Sequence, residues 1–319
     1  MYKRQYLDLA GGGDERFIIT VKTDNAGTSA TNQFTIPTTG TGYNYDITTS
    51  DGQTITGLTT GTTITFPTAG TYDVFISGSF PQCYFDNGGD KLKLLDIKNF
   101  GIYALGSTSQ LSAFFGCSNM VISATDIGHF ENVTNFFQAW RGCSSLTSFP
   151  LINTSSGSVF NSTWYGCRSL TSFPLIDTSM GSVFVNTWIF CSSLTSFPLI
   201  DTSSVTNFTN TWNLCSSLTS FPLLDTSSGT NFQSTWQSCS SLTSFPSNAF
   251  DTNIATNYLN SFTSTNLTTQ SIDDILVSLV ASGVSNGTFN QSEGQAPSAT
   301  GQAAITTLLG RGWTIQTTA

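Results

Sequence analysis

The feature that most constrains this chain of 319 residues is an internal repeat of 24 residues. Five cysteines follow one another at that interval: Cys143, Cys167, Cys191, Cys215 and Cys239. A tryptophan stands three residues before each of them, from Trp140 to Trp236. A period in this range indicates an array of stacked units, in which each unit buries its apolar side chains against its neighbours. The sequence therefore predicts a stack of coils over residues 117–266.

Each unit carries two patterns of apolar residues. The first has the spacing of one face of a short helix, with steps of three, four and three residues: Val205, Phe208, Trp212 and Cys215. Asp201 precedes it as a candidate N-cap. The second pattern is a short extended segment around Leu218, Phe221 and Leu223, bent by a proline. A strand and a short helix in every unit predict an α/β solenoid of leucine-rich-repeat type with a parallel ladder.

The repeats resemble the leucine-rich repeats of BspA-like bacterial surface proteins in the recurring motif F-x-x-x-W-x-x-C-x-S-L-T-S-F-P. The resemblance covers roughly residues 114–267, almost half of the chain. The repeats depart from that family in length, since its units are commonly somewhat longer, and in placing tryptophan at the helical aromatic position. The resemblance implies adhesion or recognition at a cell surface and does not imply catalysis.

The N-terminal flank has a different pattern. After a tail at 1–14, residues 15–80 read as short alternating strands separated by Gly-, Thr- and Asn-rich turns, which predicts an all-β sandwich. Residues 45–78 resemble the PKD-like immunoglobulin sandwich, and this resemblance implies an immunoglobulin-like fold for the region. Residues 81–116 are predicted to form a transition and a first half-coil.

The C-terminal flank, residues 267–319, is predicted to be an α/β cap. Ser271 begins a capping-box-like segment for a helix that ends near Gly283. A second helix is predicted from Ser298 to about Leu309. The segments GTFNQS and WTIQTT are predicted strands.

Charge and composition exclude several classes of function. The chain has 10 Lys and Arg against 19 Asp and Glu, a net charge of −9, so it lacks the basic surface that nucleic acid or anionic lipid requires. No apolar run is long enough for a transmembrane helix. The segment MYKRQYLDLAGGG has no apolar stretch after its basic residues, so no signal peptide is predicted. A single histidine argues against most acid–base and zinc chemistry, and no enzyme is expected.

The cysteine and tryptophan columns each have a structural and a functional interpretation. The thiols could form a disulfide ladder or a metal site, but their count of seven is odd and no Cys-x-x-Cys pair occurs. We expect free thiols that pack as small apolar groups. The tryptophans could form an exposed strip for carbohydrate, but they share the helical stripe with Phe and Cys, which favours the core.

Two further columns are candidate binding sites. Asp177, Asp201 and Asp225, with Asn153 in register, are weak candidates for calcium and otherwise the capping residues of turns. Stacked carboxylates repel one another, so raised pKa values are expected. No other cofactor is expected. A threonine column from Thr147 to Thr243, beside a serine column, could match a regular ligand such as a glycan chain or ice, or form a solvated surface.

The repeats differ from one another at the predicted outer face of the helix. Tyr165, Ile189, Phe190 and Leu214 would form an exposed apolar cluster there, and such clusters often mark contact sites. The alternative is partial burial of these side chains against the neighbouring coil.

The sequence thus predicts a non-enzymatic recognition or adhesion protein, located outside the cell, at a cell surface or at a virion surface. Its partner would be a cell-surface protein or a glycan. The alternatives are a receptor-binding protein of a virion tail fibre and a structural subunit that associates with itself into fibres, which low charge favours. A glycan hydrolase would need two carboxylates across a cleft, whereas the aspartates lie along one line.

Overall fold

The computed structural model describes residues 14–318, so the predicted tail at 1–14 lies outside the described residues except for Asp14. Within them the chain forms eleven strands and two helices. The elements are, in order, β1 (Phe17–Lys22), β2 (Gln33–Thr35), β3 (Asn44–Thr49), β4 (Thr54–Leu58), β5 (Thr63–Thr65), β6 (Thr71–Ser79), β7 (Leu94–Asn99), β8 (Val121–Ile122), β9 (Asn257–Phe262), α1 (Thr269–Ala281), β10 (Thr288–Gln291), α2 (Ala299–Gly310) and β11 (Thr314–Gln316).

The N-terminal strands form a six-stranded sheet and a separate two-stranded sheet. The order in the larger sheet is β4-β3-β6-β1-β7-β8, and β2 pairs with β5 in the smaller one. All these pairs are antiparallel except β7 with β8, which is parallel. Phe17 and Ile19 of β1 and Phe34 of β2 are buried in the core. Because β7 and β8 belong to the larger sheet, it continues past residue 80 into the repeats.

The repeats stack on one another through backbone bridges between residues one unit apart. These parallel bridges join, in sequence, Ser109, Asn135, Val159, Val183, Asn207, Asn231 and Asn257. The column continues through the parallel strands β9, β10 and β11, where Asn257 pairs with Thr288 and Thr288 with Thr314. A single parallel ladder therefore runs from Ser109 to Thr314. We call the part built from the 24-residue units the repeat stack.

The prediction of an α/β solenoid of leucine-rich-repeat type is wrong. Among residues 14–318 the only helices are α1 and α2, and both lie after the last unit. The named sheets are antiparallel or mixed apart from the C-terminal three strands. The segment predicted as the helix of a unit, residues 205–215, is a series of turns. The family expectation of a strand and a helix in each unit therefore does not describe this chain.

Two left-handed residues in every unit prevent the predicted helix. Asn210 and Leu214 have φ values of +55° and +63°, and their counterparts one unit earlier, Asn186 and Phe190, have +60° and +64°. A residue in this region cannot continue a right-handed helix. The backbone N–H groups instead donate to the next unit, as in Trp212 N to the Thr235 carbonyl at 2.9 Å. Hydrogen bonds between units thus replace those within a helix.

A glycine substitution tests this conformation. Gly166 has φ +73°, and a Cβ built there meets no atom closer than 3.8 Å, so only the backbone opposes a side chain. We expect Gly166→Ala to lower the free energy of unfolding by about 1–2 kcal/mol, measured by urea denaturation. Gly310→Ala is the matched control, because its Cβ meets open space and its φ lies outside the left-handed region. Equal stabilities of the two variants would contradict the left-handed conformation at Gly166.

The tryptophans form the centre of the stack. Neighbouring rings lie 5.4–5.9 Å apart, with planes within 9° of parallel, and none is more than 1% exposed. A phenylalanine wedges edge-on between successive rings: Phe149 lies 4.8 Å from Trp140 and 5.2 Å from Trp164. The interpretation of the tryptophans as core residues is confirmed, and the carbohydrate strip is excluded.

The two helices cover the end of the stack. Thr268 caps α1 and Ser298 caps α2 through their side-chain oxygens, and α1 begins two residues before the predicted Ser271. Thr268 N donates to the Thr243 carbonyl at 3.1 Å, and the Ser278 hydroxyl accepts from Phe250 N at 2.7 Å. These bonds satisfy backbone groups of the last unit that no further repeat would reach. No helix in residues 14–318 has the length and apolar character needed to cross a membrane.

Candidate partner-binding face

A three-residue turn in each unit exposes one leucine. Ile152 N donates to the Pro150 carbonyl at 3.0 Å, and the same bond at the same distance recurs in the next three units. Such a turn reverses the direction of the chain, and its central residue lies at the tip of the turn. Phe149 and Ile152 consequently face the core, whereas Leu151 at the centre of the turn faces outward.

The exposed leucines of four successive units form a column, which we call the leucine stripe. Its members are Leu151, Leu175, Leu199 and Leu223, and they are 53%, 56%, 62% and 51% exposed. The phenylalanine rings two positions earlier in the chain repeat at 5.9, 5.9 and 6.1 Å, which gives the spacing of the units beneath the stripe. Each leucine follows a half-buried proline, which adds apolar surface beside the stripe.

Hydroxyl groups border the stripe on one side. The exposed threonines from Thr171 to Thr243 each donate their Oγ1–H to the backbone carbonyl of the threonine one unit earlier, at 3.2–3.4 Å. Their outward groups are therefore methyls and acceptor lone pairs. The neighbouring serine hydroxyls have no partner among the described residues, and they are Ser148, Ser172, Ser196, Ser220 and Ser244. This flank offers free donors in one column and acceptors in the next.

Carboxylates border the stripe on its other side. Asp177, Asp201 and Asp225 follow the leucines by two residues and are exposed, with Asn153 as the half-buried member of the first unit. Oδ1 of Asp201 accepts hydrogen bonds from the backbone N and the hydroxyl of Ser203 at 3.0 and 2.7 Å. The same pair of bonds forms in the other three units. The interpretation of this column as turn-capping residues is confirmed.

The expected rise in pKa is wrong for Asp225. The hydrogen bonds from Ser227 lower the pKa of Asp225 below its usual value, because they stabilise the charged form. The weak calcium candidates Asp177, Asp201 and Asp225 do not form a cluster of acidic side chains. Among residues 14–318 no three or more His, Cys, Asp or Glu side chains come together in a way that could hold a metal.

The predicted partner-binding cluster is not an exposed surface. Ile189 is only 8% exposed, and Tyr165, Phe190 and Leu214 are half-buried. The Arg141 guanidinium lies 4.2 Å from the centre of the Tyr165 ring, so the protein itself covers part of this region. The expectation of exposure is wrong because it assumed a helix whose outer face pointed to solvent. Partial burial, the alternative, describes Tyr165, Phe190 and Leu214, whereas Ile189 is buried.

The cysteines are buried free thiols, as predicted. All seven are unpaired and buried. Four of them donate Sγ–H to the carbonyl of a tryptophan 27 residues earlier, as Cys215 does to Trp188 at 3.2 Å. Burial raises the pKa values of the thiols well above their usual range, so they remain protonated. Protonated thiols without access to solvent are poor nucleophiles and poor metal ligands.

The sequence contains a signal for the leucine stripe, but the two-residue alternation of a strand wrongly predicts that these leucines face the core. Phe221 and Leu223 are two residues apart, so an extended strand would place them on the same face. The turn between Pro222 and Leu224 separates them instead. The recurrence of Phe-Pro-Leu in four successive units was the available signal, because proline favours a turn at that point.

No family model matches the chain, and no match is found among the curated proteins or the solved structures. The resemblances to BspA-like repeats and to the PKD-like sandwich therefore rest on their motifs alone and stay predictions.

Proposed function

We propose that this protein is a non-enzymatic recognition or adhesion module, located outside the cell or at a virion surface. It binds a cell-surface protein or a glycan through the leucine face, defined as the leucine stripe with its flanking Ser, Thr and Asp columns. The observation that supports this proposal is the exposure of four leucines in one column, each more than half exposed. Single exposed apolar residues are common, but a contiguous apolar row bordered by polar groups is typical of an interaction site.

The leucine face is suited to binding because its geometry is rigid. The stripe stands on stacked Trp and Phe rings, and the Asp side chains are held by their own Ser residues. A preformed surface loses little conformational entropy when it binds. Covering the exposed half of a leucine contributes about 1 kcal/mol, which is half of the usual value for complete burial. Four leucines supply a modest affinity, which repeated copies on a surface would raise by avidity.

A double substitution tests the proposal. Leu175→Ser with Leu199→Ser removes the centre of the stripe, and exposed positions should tolerate it with stability changed by only about 0.5 kcal/mol for each substitution. We expect binding to cells and to a glycan array to fall more than tenfold. The control is Leu309→Ser in α2, because Leu309 is 52% exposed and lies outside the repeat stack.

Two results would contradict the proposed function. In one, the double variant binds as well as the unchanged protein. In the other, Leu309→Ser lowers binding as much as the double variant does.

A further inference from the structure

The charges beside the leucine stripe are all of one sign. Residues 143–246 contain three acidic residues and one basic residue, Arg168. The Arg168 guanidinium lies 5.3 Å from the Phe190 ring centre, and no salt bridge to Asp177, Asp201 or Asp225 forms among the described residues. The lowered pKa of Asp225 keeps that carboxylate charged at neutral pH. An apolar row with an uncompensated acidic flank is complementary to an apolar row with a basic flank.

The spacing of the units restricts the shape of the partner. The rings under the stripe repeat at 5.9–6.1 Å, and the tryptophans behind them repeat at 5.4–5.9 Å. An α-helix advances about 5.4 Å per turn. A helix lying along the stack would therefore present one apolar side chain per unit.

We infer that the leucine face binds an amphipathic α-helix of a partner protein, with one basic flank, lying along the axis of the stack. This inference rests on the proposed function and names the partner of the same face. The apolar stripe of the helix covers Leu151, Leu175, Leu199 and Leu223. Its Lys or Arg side chains lie against the aspartate column, and polar side chains on its other flank meet the free serine hydroxyls. About four turns of helix span the four units.

The size of the stripe argues against a second copy of the chain as the occupant. Four half-exposed leucines and their prolines present on the order of a few hundred Å² of apolar surface. A stable interface buries about 800 Å² on each partner. A second copy also carries a net charge of −9 and brings no basic flank to the aspartates.

Synthetic peptides on the full-length protein test the inference. The probe is a fluorescein-labelled helix of 16 residues, with leucine at each turn and lysine along one flank. The comparison peptide has glutamate in place of each lysine. We expect the lysine peptide to bind at least tenfold more tightly in an anisotropy titration, with the preference reduced at 0.5 M salt because ions screen the exposed charges.

Two double variants measure how much the aspartate column and the leucine stripe each contribute to the affinity for the peptides. Asp177→Asn with Asp201→Asn should reduce the preference for the lysine peptide, and Asn153 shows that the turn tolerates asparagine with the same hydrogen bonds. Leu175→Ser with Leu199→Ser should weaken both peptides more than tenfold, whereas Leu309→Ser should weaken neither.

The inference is overturned if the two peptides bind equally, or if neither double variant changes their binding. Its failure is distinguishable from failure of the proposed function. If Leu175→Ser with Leu199→Ser lowers binding to cells or glycans but the lysine peptide has no advantage, the face binds a partner of another kind. If binding to cells and glycans is unchanged by those substitutions, the proposed function itself is wrong.

Discussion

Deletion of one complete repeat, residues 191–214, is expected to leave a folded protein that is one unit shorter. Deletion of residues 203–214 alone is expected to unfold the repeat stack. The complete deletion rejoins Phe190 to Cys215 and removes Asn207, so Val183 can bridge directly to Asn231, which occupies the same position one unit later. The half-unit deletion removes Phe208 and Trp212 and shifts every later bridge out of register.

The expected size of the effect follows from the buried aromatic residues. In the half-unit deletion the later units are out of register and leave the places of Phe208 and Trp212 unfilled, and loss of a buried Phe or Trp costs about 3–5 kcal/mol each. Two such losses approach the total stability of a typical domain, about 5–15 kcal/mol. Far-UV circular dichroism and urea denaturation of both deletions measure the outcome. A folded half-unit deletion beside an unfolded complete deletion would show that the units do not stack as interchangeable elements.

Lys93→Met is expected to lower the free energy of unfolding by about 3–5 kcal/mol. The Lys93 ammonium group is buried and donates to the carbonyls of Ser29, Ala30 and Gln33 at 3.1, 2.8 and 2.9 Å. It also lies 4.0 Å from the buried Asp90 carboxylate. Methionine has a similar length but no charge, so it leaves the carbonyls and the carboxylate without their cation. Urea denaturation at pH 7 measures the loss.

The control for this substitution is Lys98→Met. Lys98 pairs with Asp73 at 2.8 Å, but the pair is exposed to solvent, so its loss should cost at most about 1 kcal/mol. If the two variants had the same free energy of unfolding, the buried hydrogen bonds of Lys93 would stabilise the protein no more than the exposed ion pair of Lys98 does.

The same network predicts a pH dependence. Burial acts to raise the pKa of Asp90, but hydrogen bonds from Ser29 and Thr35 and the charge of Lys93 outweigh it, so the pKa lies below its usual value of 3.8. A lowered pKa in the folded state contributes stability that is present above pH 4 and is lost as the pH falls through the folded value. Lys93→Met removes one of the interactions that lower the pKa of Asp90. The stability of this variant should therefore begin to fall at a higher pH than that of the unchanged protein.

Much of the core was predictable because buried positions carry the same apolar residues in every unit of the repeat. The tryptophan, cysteine and phenylalanine columns recur at identical positions, and the structure buries all three. The strands of the N-terminal sheets follow alternating patterns such as FIITVK of β1. The helices α1 and α2 lie in the segments that Ser271 and Ser298 indicated, although the residue that caps α1 is Thr268 and not Ser271.

The sequence alone determined the 24-residue period, the buried columns and the places of the two C-terminal helices, because each depends on residues close together in the chain or on repetition itself. Only the tertiary structure decided the conformation of the unit. Val205, Phe208 and Trp212 have the spacing of a helix. The backbone N–H groups of Phe208 and Trp212 nevertheless donate to the next unit, and Asn210 is left-handed. That bonding also determines which side chains face outward. The leucine stripe is therefore exposed, and Ile189, which was predicted to be exposed, is buried. The spacing of apolar residues shows which positions of a unit are buried. The backbone conformation that buries them is set by hydrogen bonds to residues 23 or 24 positions away in the chain.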